Sequence, residues 1–528
     1  MKKIEKHKSR YSSVPGAKHF SLLSGGDSLA GSAPRFGLPE IFILVQFLSP
    51  ALFFIPGTQS VRSVIRAVPY LMSGYLLLHY LWVWSRERRE KWMEDSASLA
   101  EKMKDIPTAE TRKVRQISQA AYPFHGMHGW LLGAIILMGL VYFFNPWSHP
   151  IAGMAQLMYQ AMVMAPAFWG VLVVQNQKHM TRLLVLTFLC NFASAGFGML
   201  QIYFPGKLDP PQYSQVDPEA QARLTYIGPD GKSILRPSGL TDVPGGAAAA
   251  GLFTGFLGMV LFLTPGFSWL TRILFLIGGG LGPITLLLTH VRSIFMVMAG
   301  VIFVFAGILF IQRRLLQFQL LTGTTIGVGI AAFIYAVALG GESTAKRFDF
   351  LTGKADVEVL ASERGKFHEK TFTKDLQLYP FGAGMGRWGI MAMMFNREQQ
   401  HQLQPLYVEV QVTGWLYDGG MLLWLLYPLA IIFATGHLFK ASLKYRREEI
   451  SYIFGIIFAM SLSTVAMCYA SAPFNTQYGI VFWFFAAGGI GLVLKRKNMP
   501  DPEESEPEVS FAGRRASRFH RGQTGVAN

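Results

Sequence analysis

A long polar segment, Gly340–Gly420, lies between two apolar runs in a chain that is otherwise mostly hydrophobic. It carries Ser362-Glu363-Arg364-Gly365, then Tyr379-Pro380-Phe381-Gly382-Ala383-Gly384-Met385-Gly386, then Pro405-Leu406-Tyr407-Val408-Glu409. A bilayer interior has no water to solvate that many charges, so the segment must lie on one aqueous side as a domain-sized loop. A loop of that size between spans is where a membrane enzyme meets its substrate.

Composition agrees. Of 528 residues, 51% are hydrophobic and only 15% charged, against about a quarter charged in soluble domains. The chain therefore reads as an all-α polytopic membrane protein. Its net charge of +16 does not point to nucleic acid, because no basic-aromatic module accompanies it. Basic residues in such a chain mark cytoplasmic loops and contacts with membrane lipids. The two cysteines, Cys190 and Cys468, both stand in apolar runs, which rules against a disulfide scaffold or a cysteine-rich metal site. The first apolar run begins near Gly37, too late and too long for a cleaved signal peptide. The basic segment before it reads as a retained tail.

At roughly 20 apolar residues per span, about twelve helices fit the sequence. They lie near 38–56, 66–85, 127–146, 153–175, 183–204, 246–264, 270–289, 293–311, 318–339, 419–439, 451–471 and 476–494. Basic groups crowd alternate connections: 86–115, Lys178 and Arg182, Arg313 and Arg314, Lys440 to Arg447, and Lys495 to Lys497. The positive-inside rule makes that side cytoplasmic, with both termini on it. The organisation is then a cytoplasmic basic tail (1–36) and N-terminal spans (37–204) with a cytoplasmic loop (86–126). An extracytoplasmic loop (205–245), central spans (246–339) and the large extracytoplasmic loop between the ninth and tenth spans (340–418) follow. C-terminal spans (419–495) and a disordered cytoplasmic tail (496–528) complete it. The acidic and basic residues of Arg86–Arg115 suit a surface helix on headgroups. Arg62 and Arg66, in a short outer connection, run against the rule.

Three arginines share the outer side. Arg236 precedes a span in Arg236-Pro237-Ser238-Gly239, Arg292 stands at a span boundary in Thr289-His290-Val291-Arg292-Ser293, and Arg364 lies early in the large loop. Guanidinium forks grip phosphate bidentately and never lose their charge, although position alone equally allows snorkelling to headgroups. Arg364 and His368 stand one helical turn apart, beside a second basic stripe of Lys366, Lys370 and Lys374. Glu409 sits among Leu406, Tyr407, Val408 and Val410, where burial would suit a general base; a helix-start carboxylate or a salt bridge fits the same position. Asp418, beside Gly419-Gly420, reads as a helix cap. The glycines at 382, 384 and 386 lack the strand and the Lys-Ser/Thr of a phosphate-binding loop, so they read as a tight turn. Gly278 to Gly282 read as a site of close helix packing or a kink.

In combination these motifs resemble the bacterial O-antigen ligase and O-antigen polymerase superfamily, over about Tyr226 to Asn498. The resemblance implies a metal-independent membrane glycosyltransferase of the bacterial inner membrane, needing no cofactor. Its donor would be an undecaprenyl-pyrophosphate-linked glycan and its acceptor another glycan, a lipid A core or a protein hydroxyl. It implies that Arg292 and Arg364, helped by Arg236, hold the donor pyrophosphate. The ligases of this family place a histidine about eleven residues before the glycine at the span start; here that position is Glu409. The base is then Glu409, or else His401 or His368, and the missing histidine leans toward a polymerase. The competing classes are a non-enzymatic transporter or flippase of a lipid-linked glycan, which would need a charged path through the spans, and a structural scaffold. The apolar runs are almost free of charge.

Sidedness is testable directly. Single cysteines placed at Lys354 and Lys104 should react with a membrane-impermeant thiol reagent from opposite sides, and labelling of both from one side overturns the topology.

Overall fold

In a computed structural model, the structure describes residues 35–102, 124–210, 225–227, 231–243, 245–348, 365–395 and 406–497. Twelve long helical segments occupy the positions the apolar runs indicate. They are α1 (Leu38–Leu48, continued by a 3-10 turn Ser49–Phe54), α2 (Arg62–Lys102), α3 (Gly126–Phe144), α4 (Pro150–Val173), α5 (Gln177–Tyr203), α6 (Gly246–Phe262), α7 (Trp269–Leu288), α8 (Arg292–Ile311), α9 (Leu315–Phe348), α10 (Gln411–Lys444), α11 (Ile450–Met467) and α12 (Gln477–Lys497). Among the described residues, nine of these are long and apolar enough to cross a membrane, namely α3 to α5 and α7 to α12; α1 with its 3-10 turn and α6 are shorter apolar helices. The chain is thus a helical protein of the multi-pass membrane type.

Local chemistry fixes several starts. His149 and Asn176 cap α4 and α5 by accepting backbone N–H bonds from Ala152 and His179, and Pro150 opens α4 where no donor is needed. Two starts and stops were legible to within a residue or two for another reason. The sequence ends its ninth span at 339 and opens its tenth at 419; α9 and α10 carry breaks at Gly341 and Gly420, with φ of 62° and 66°. Helix continues beyond each break, so the large loop gives up its two ends, to Phe348 and from Gln411. The basic stretch after residue 85 is likewise no separate surface helix. It prolongs α2 without interruption to Lys102. The 205–245 connection departs from an all-helical pattern in a two-stranded antiparallel ribbon that pairs Thr225 with Leu235 and Ile227 with Ser233.

Glycine governs the central packing. Gly251, Gly255 and Gly258 of α6 lie against Gly278, Gly279 and Gly282 of α7, and a methyl group on Gly258 would stand 2.5 Å from the Gly279 nitrogen. Without a hydrophobic driving force in lipid, such backbone approach is what holds helices together. Nearer the N-terminus, Trp169 of α4 gathers Phe42, Phe484 and Tyr80 at ring distances of 4.9, 5.3 and 5.8 Å, which ties α1, α12 and α2 to it.

Helix alternation gives the bundle two ends. At one, Arg182 and His179 pair with Glu40, Lys495 donates to the Val174 carbonyl at 2.9 Å, Arg314 donates to the Glu448 carbonyl at 2.7 Å, and Arg496 pairs with Glu448 at 3.3 Å. This basic end collects the groups that the positive-inside argument placed together. Among the described residues, the opposite, loop end holds 49–62, 203–210, 225–227, 231–243, 245–246, 288–292, 365–395, 406–420 and 467–477. Arg62 and Arg66, the exceptions to the charge rule, both bind the buried Asp242 carboxylate there, so their charge is locally offset.

If the α6–α7 contact carries this bundle, Gly258→Val should destabilise the detergent-solubilised protein by about 1–3 kcal/mol. Gly300→Ala, at a position with open space around it, should leave the melting temperature unchanged or higher.

Candidate functional site

Four chain segments meet at the loop end, and each is held by bonds to the helices beneath it. The segment before α6 is fastened by Gln201, which donates to Ser238 at 3.0 Å and accepts from the Gly239 N–H at 2.9 Å, and by Ser194, which accepts from Leu240 at 3.0 Å. Arg236 projects from it, half-buried, and its Nε is enclosed without an acceptor. Burial draws its pKa below the ordinary arginine value, a direction that reports desolvation of a cation. Arg292 is the first residue of α8, whose opening N–H groups have no partner within the helix. The two arginine-bearing segments adjoin: a methyl on Gly245 would lie 3.7 Å from Val291, the residue before Arg292, and 4.0 Å from Arg236 Cδ.

The glycine turn Tyr379–Gly389 docks on three elements. Asn145 donates to the Gly382 carbonyl at 2.9 Å, Ser148 accepts from Met385 at 3.0 Å, and Ala383 donates to the Tyr417 carbonyl at 2.8 Å. Gly384 and Gly386 press on the start of α4 so closely that a side chain would strike the backbone at Trp147 and Ala152. The turn is therefore a packing device, as its spacing indicates. It presents two side chains inward. Trp388 donates its indole N–H to Asp418 at 2.7 Å, and Arg387 is buried, with one bond of 3.2 Å to the Ala383 carbonyl.

Asp418 is not a helix cap. It lies inside α10, 1% exposed, with Gln156 and Gln160 of α4 facing its other oxygen at 3.5 Å. Gln160 also donates to Asn475 at 2.9 Å, whose carbonyl accepts from Tyr159 at 2.9 Å. Beneath the glycine turn, Tyr417 donates to Asp375 at 3.0 Å, and Lys370 stands 3.9 Å from the same carboxylate.

Of the residues picked from sequence, Arg236 and Arg292 lie on segments that adjoin through Gly245 and Val291. His368 and Glu409 both flank the Cys468–Asn475 turn: His368 stacks on Tyr469 at 4.8 Å and contacts its carbonyl at 3.3 Å, while Gln411, two residues after Glu409, donates to Cys468 and Ser471. A carbonyl can only accept, so His368 Nε2 is the donor in this contact. Glu409 is half-buried in extended chain immediately before α10. Arg364 and His401 lie outside the described residues. Sequence reasoning passed over Arg387, Asp242 and the amide ring around Asp418. Asp418 carried the signal used for Glu409, a carboxylate among bulky apolar residues, and Arg387 stood in the glycine turn itself.

The loop end therefore combines guanidinium donors at a helix start with a carboxylate and an imidazole at a neighbouring turn. It has the parts for anion binding and for proton transfer. Trp388→Phe leaves Asp418 without its shortest hydrogen bond, and should cost about 1–3 kcal/mol of stability, read as a lowered melting temperature. Neither a protein-family model nor a curated protein matches the chain.

Proposed function

We propose that this chain is a membrane glycosyltransferase of the O-antigen ligase/polymerase type. It would act at the loop end, on the extracytoplasmic side of a bacterial inner membrane, and serve surface or exopolysaccharide synthesis. The observation that carries the reading is Arg236: a half-buried guanidinium with an enclosed, acceptor-free Nε, on a segment that adjoins the start of α8 where Arg292 stands. A cation placed so, beside a helix N-terminus, favours a multiply charged anion. Of the substrates compatible with a multi-pass membrane protein, a lipid pyrophosphate supplies that anion at this depth.

In this reading α1, α2 and α6 complete twelve spans, and both termini lie in the cytoplasm. Arg236 and Arg292, with Arg364, hold the pyrophosphate of an undecaprenyl-linked glycan. An acceptor hydroxyl loses its proton to Glu409, or to His368 or His401, as its oxygen bonds to the anomeric carbon. The bond from that carbon to the phosphate oxygen breaks, and its electron pair leaves on the pyrophosphate, where the arginines stabilise the charge. The acceptor is a glycan repeat, a lipid A core or a protein hydroxyl. A flippase would want charge along the spans. Of the buried Asp, Glu and Arg side chains of the described residues, Glu40, Asp242, Asp375 and Arg387 stand instead at helix ends and in loops, and Asp418 lies inside α10 just before its break at Gly420.

Deleting the gene and profiling surface and lipid-linked glycans should show short units without long chains for a polymerase, or stranded long lipid-linked chains for a ligase. Re-expressed Arg292→Lys should fail to restore the product, because lysine keeps the charge and loses the fork. Glu409→Gln should lower turnover about 100-fold or more, with Glu409→His recovering part of it. Unchanged glycans after deletion, or full activity in Arg292→Lys at normal expression, contradict the reading.

A further inference from the structure

We propose that Arg387, in the glycine turn, is a ligand for a phosphate oxygen of the anionic donor, a second fixed cation facing the same substrate as Arg236 and Arg292. The inference rests on the transferase reading and adds a binding residue to it.

Arg387 is 8% exposed, and one of its five donors is engaged, by the Ala383 carbonyl at 3.2 Å; its Nε is buried with no acceptor. Among the described residues no carboxylate lies within ion-pair distance of it. One acid in its surroundings, Asp375, is already occupied by the Tyr417 hydroxyl at 3.0 Å and by Lys370 at 3.9 Å. Tyr417 lies within electrostatic reach of both Asp375 and Arg387, and with Lys370 beside Asp375 these four residues hold two cations to one carboxylate. A charged group is kept out of water, short of partners, only where something else completes it. A planar fork with free donors matches a phosphate.

The backbone of Arg387 ties this cation to the proton-transfer candidates. Leu406 donates to the Arg387 carbonyl at 2.8 Å, Trp388 and Leu406 pair as a parallel bridge, and Glu409 follows three residues later. The same turn reaches the rest of the loop end: a methyl on Gly389 would lie 3.3 Å from the Asn475 amide nitrogen, and the Asn475 carbonyl accepts from Tyr159. Tyr159 lies against Tyr70 at 4.3 Å and within electrostatic reach of Arg66, and Arg66 pairs with Asp242 in the segment that bears Arg236. A phosphate held at Arg387 would therefore lie beside the segment that carries Glu409, on the contact path that leads back to Arg236.

The test uses the full chain in phosphatidylcholine nanodiscs with inorganic pyrophosphate as the probe, followed by calorimetry and by melting temperature. Arg387→Gln should raise the pyrophosphate Kd about tenfold or more, and Arg387→Lys should raise it by less. The unliganded melting temperature of Arg387→Gln should stay level or rise, since a buried unpaired charge has gone. A structural arginine gives the opposite pattern: unfolding or a lowered melting temperature, with affinity intact in whatever folds, and either result overturns the proposal. Loss of affinity in Arg292→Gln but not in Arg387→Gln overturns the proposal and leaves the transferase reading standing. Affinity unchanged in both variants removes the two together. If phosphatidylglycerol nanodiscs stabilise the wild type through Arg387 while pyrophosphate does not bind there, the group is a headgroup anchor and the proposal falls.

Discussion

The break in α10 at Gly420 is the constraint on which the loop end depends. A helix interrupted at the edge of a bilayer frees backbone donors and acceptors that lipid cannot satisfy. Here the Tyr379–Ala383 segment supplies them: Met421 donates to the Pro380 carbonyl at 2.9 Å, and the Tyr417 carbonyl accepts from Ala383 at 2.8 Å. Only glycine can hold φ of 66° there while Phe381 passes so close that a methyl would come within 2.6 Å of its Cα. The break thus recruits the glycine turn, and the turn in turn fixes Trp388 on Asp418 and Arg387 on the Ala383 carbonyl. Remove the break, and the turn loses its seat.

A second consequence is electrostatic. Several charges at the basic end are matched to carboxylates or carbonyls: Arg182 to Glu40, Arg496 to Glu448, Lys495 to Val174. At the loop end Arg62 and Arg66 share Asp242, whereas Arg236 and Arg387 have buried donors and, among the described residues, no carboxylate at ion-pair distance. Ion pairs that close on themselves stabilise a fold. Cations held out of water without a counter-charge are better understood as prepared for a ligand that brings one.

Much of this architecture could be read from the chain because apolar length and basic asymmetry report on the membrane directly. The span borders at 339 and 419 fell close to Gly341 and Gly420, where helical geometry fails, since the same glycines that end an apolar run also permit the break. Pairing was far less legible. Arg62 and Arg66 looked like violations of the charge rule because their partner, Asp242, is 180 and 176 residues away. Asp418 looked like a cap because its neighbours in sequence are glycines, while its neighbours in space are two amides of α4 and an indole. Arg236 and Arg292 were grouped by side of the membrane, which sequence gives; that their segments adjoin at Gly245 depends on how α6 and α8 pack, which it does not.

The central claim is that the loop end receives a lipid pyrophosphate between Arg236 and Arg292. The most direct measurement is a cryo-electron microscopy map of the protein in nanodiscs loaded with undecaprenyl pyrophosphate. The account predicts pyrophosphate density against both guanidinium groups at the start of α8, with the polyprenyl chain running down the bundle surface. Density bound instead among Arg314, Lys444 and Arg496 at the basic end, or a loop end unchanged by saturating lipid, would contradict it.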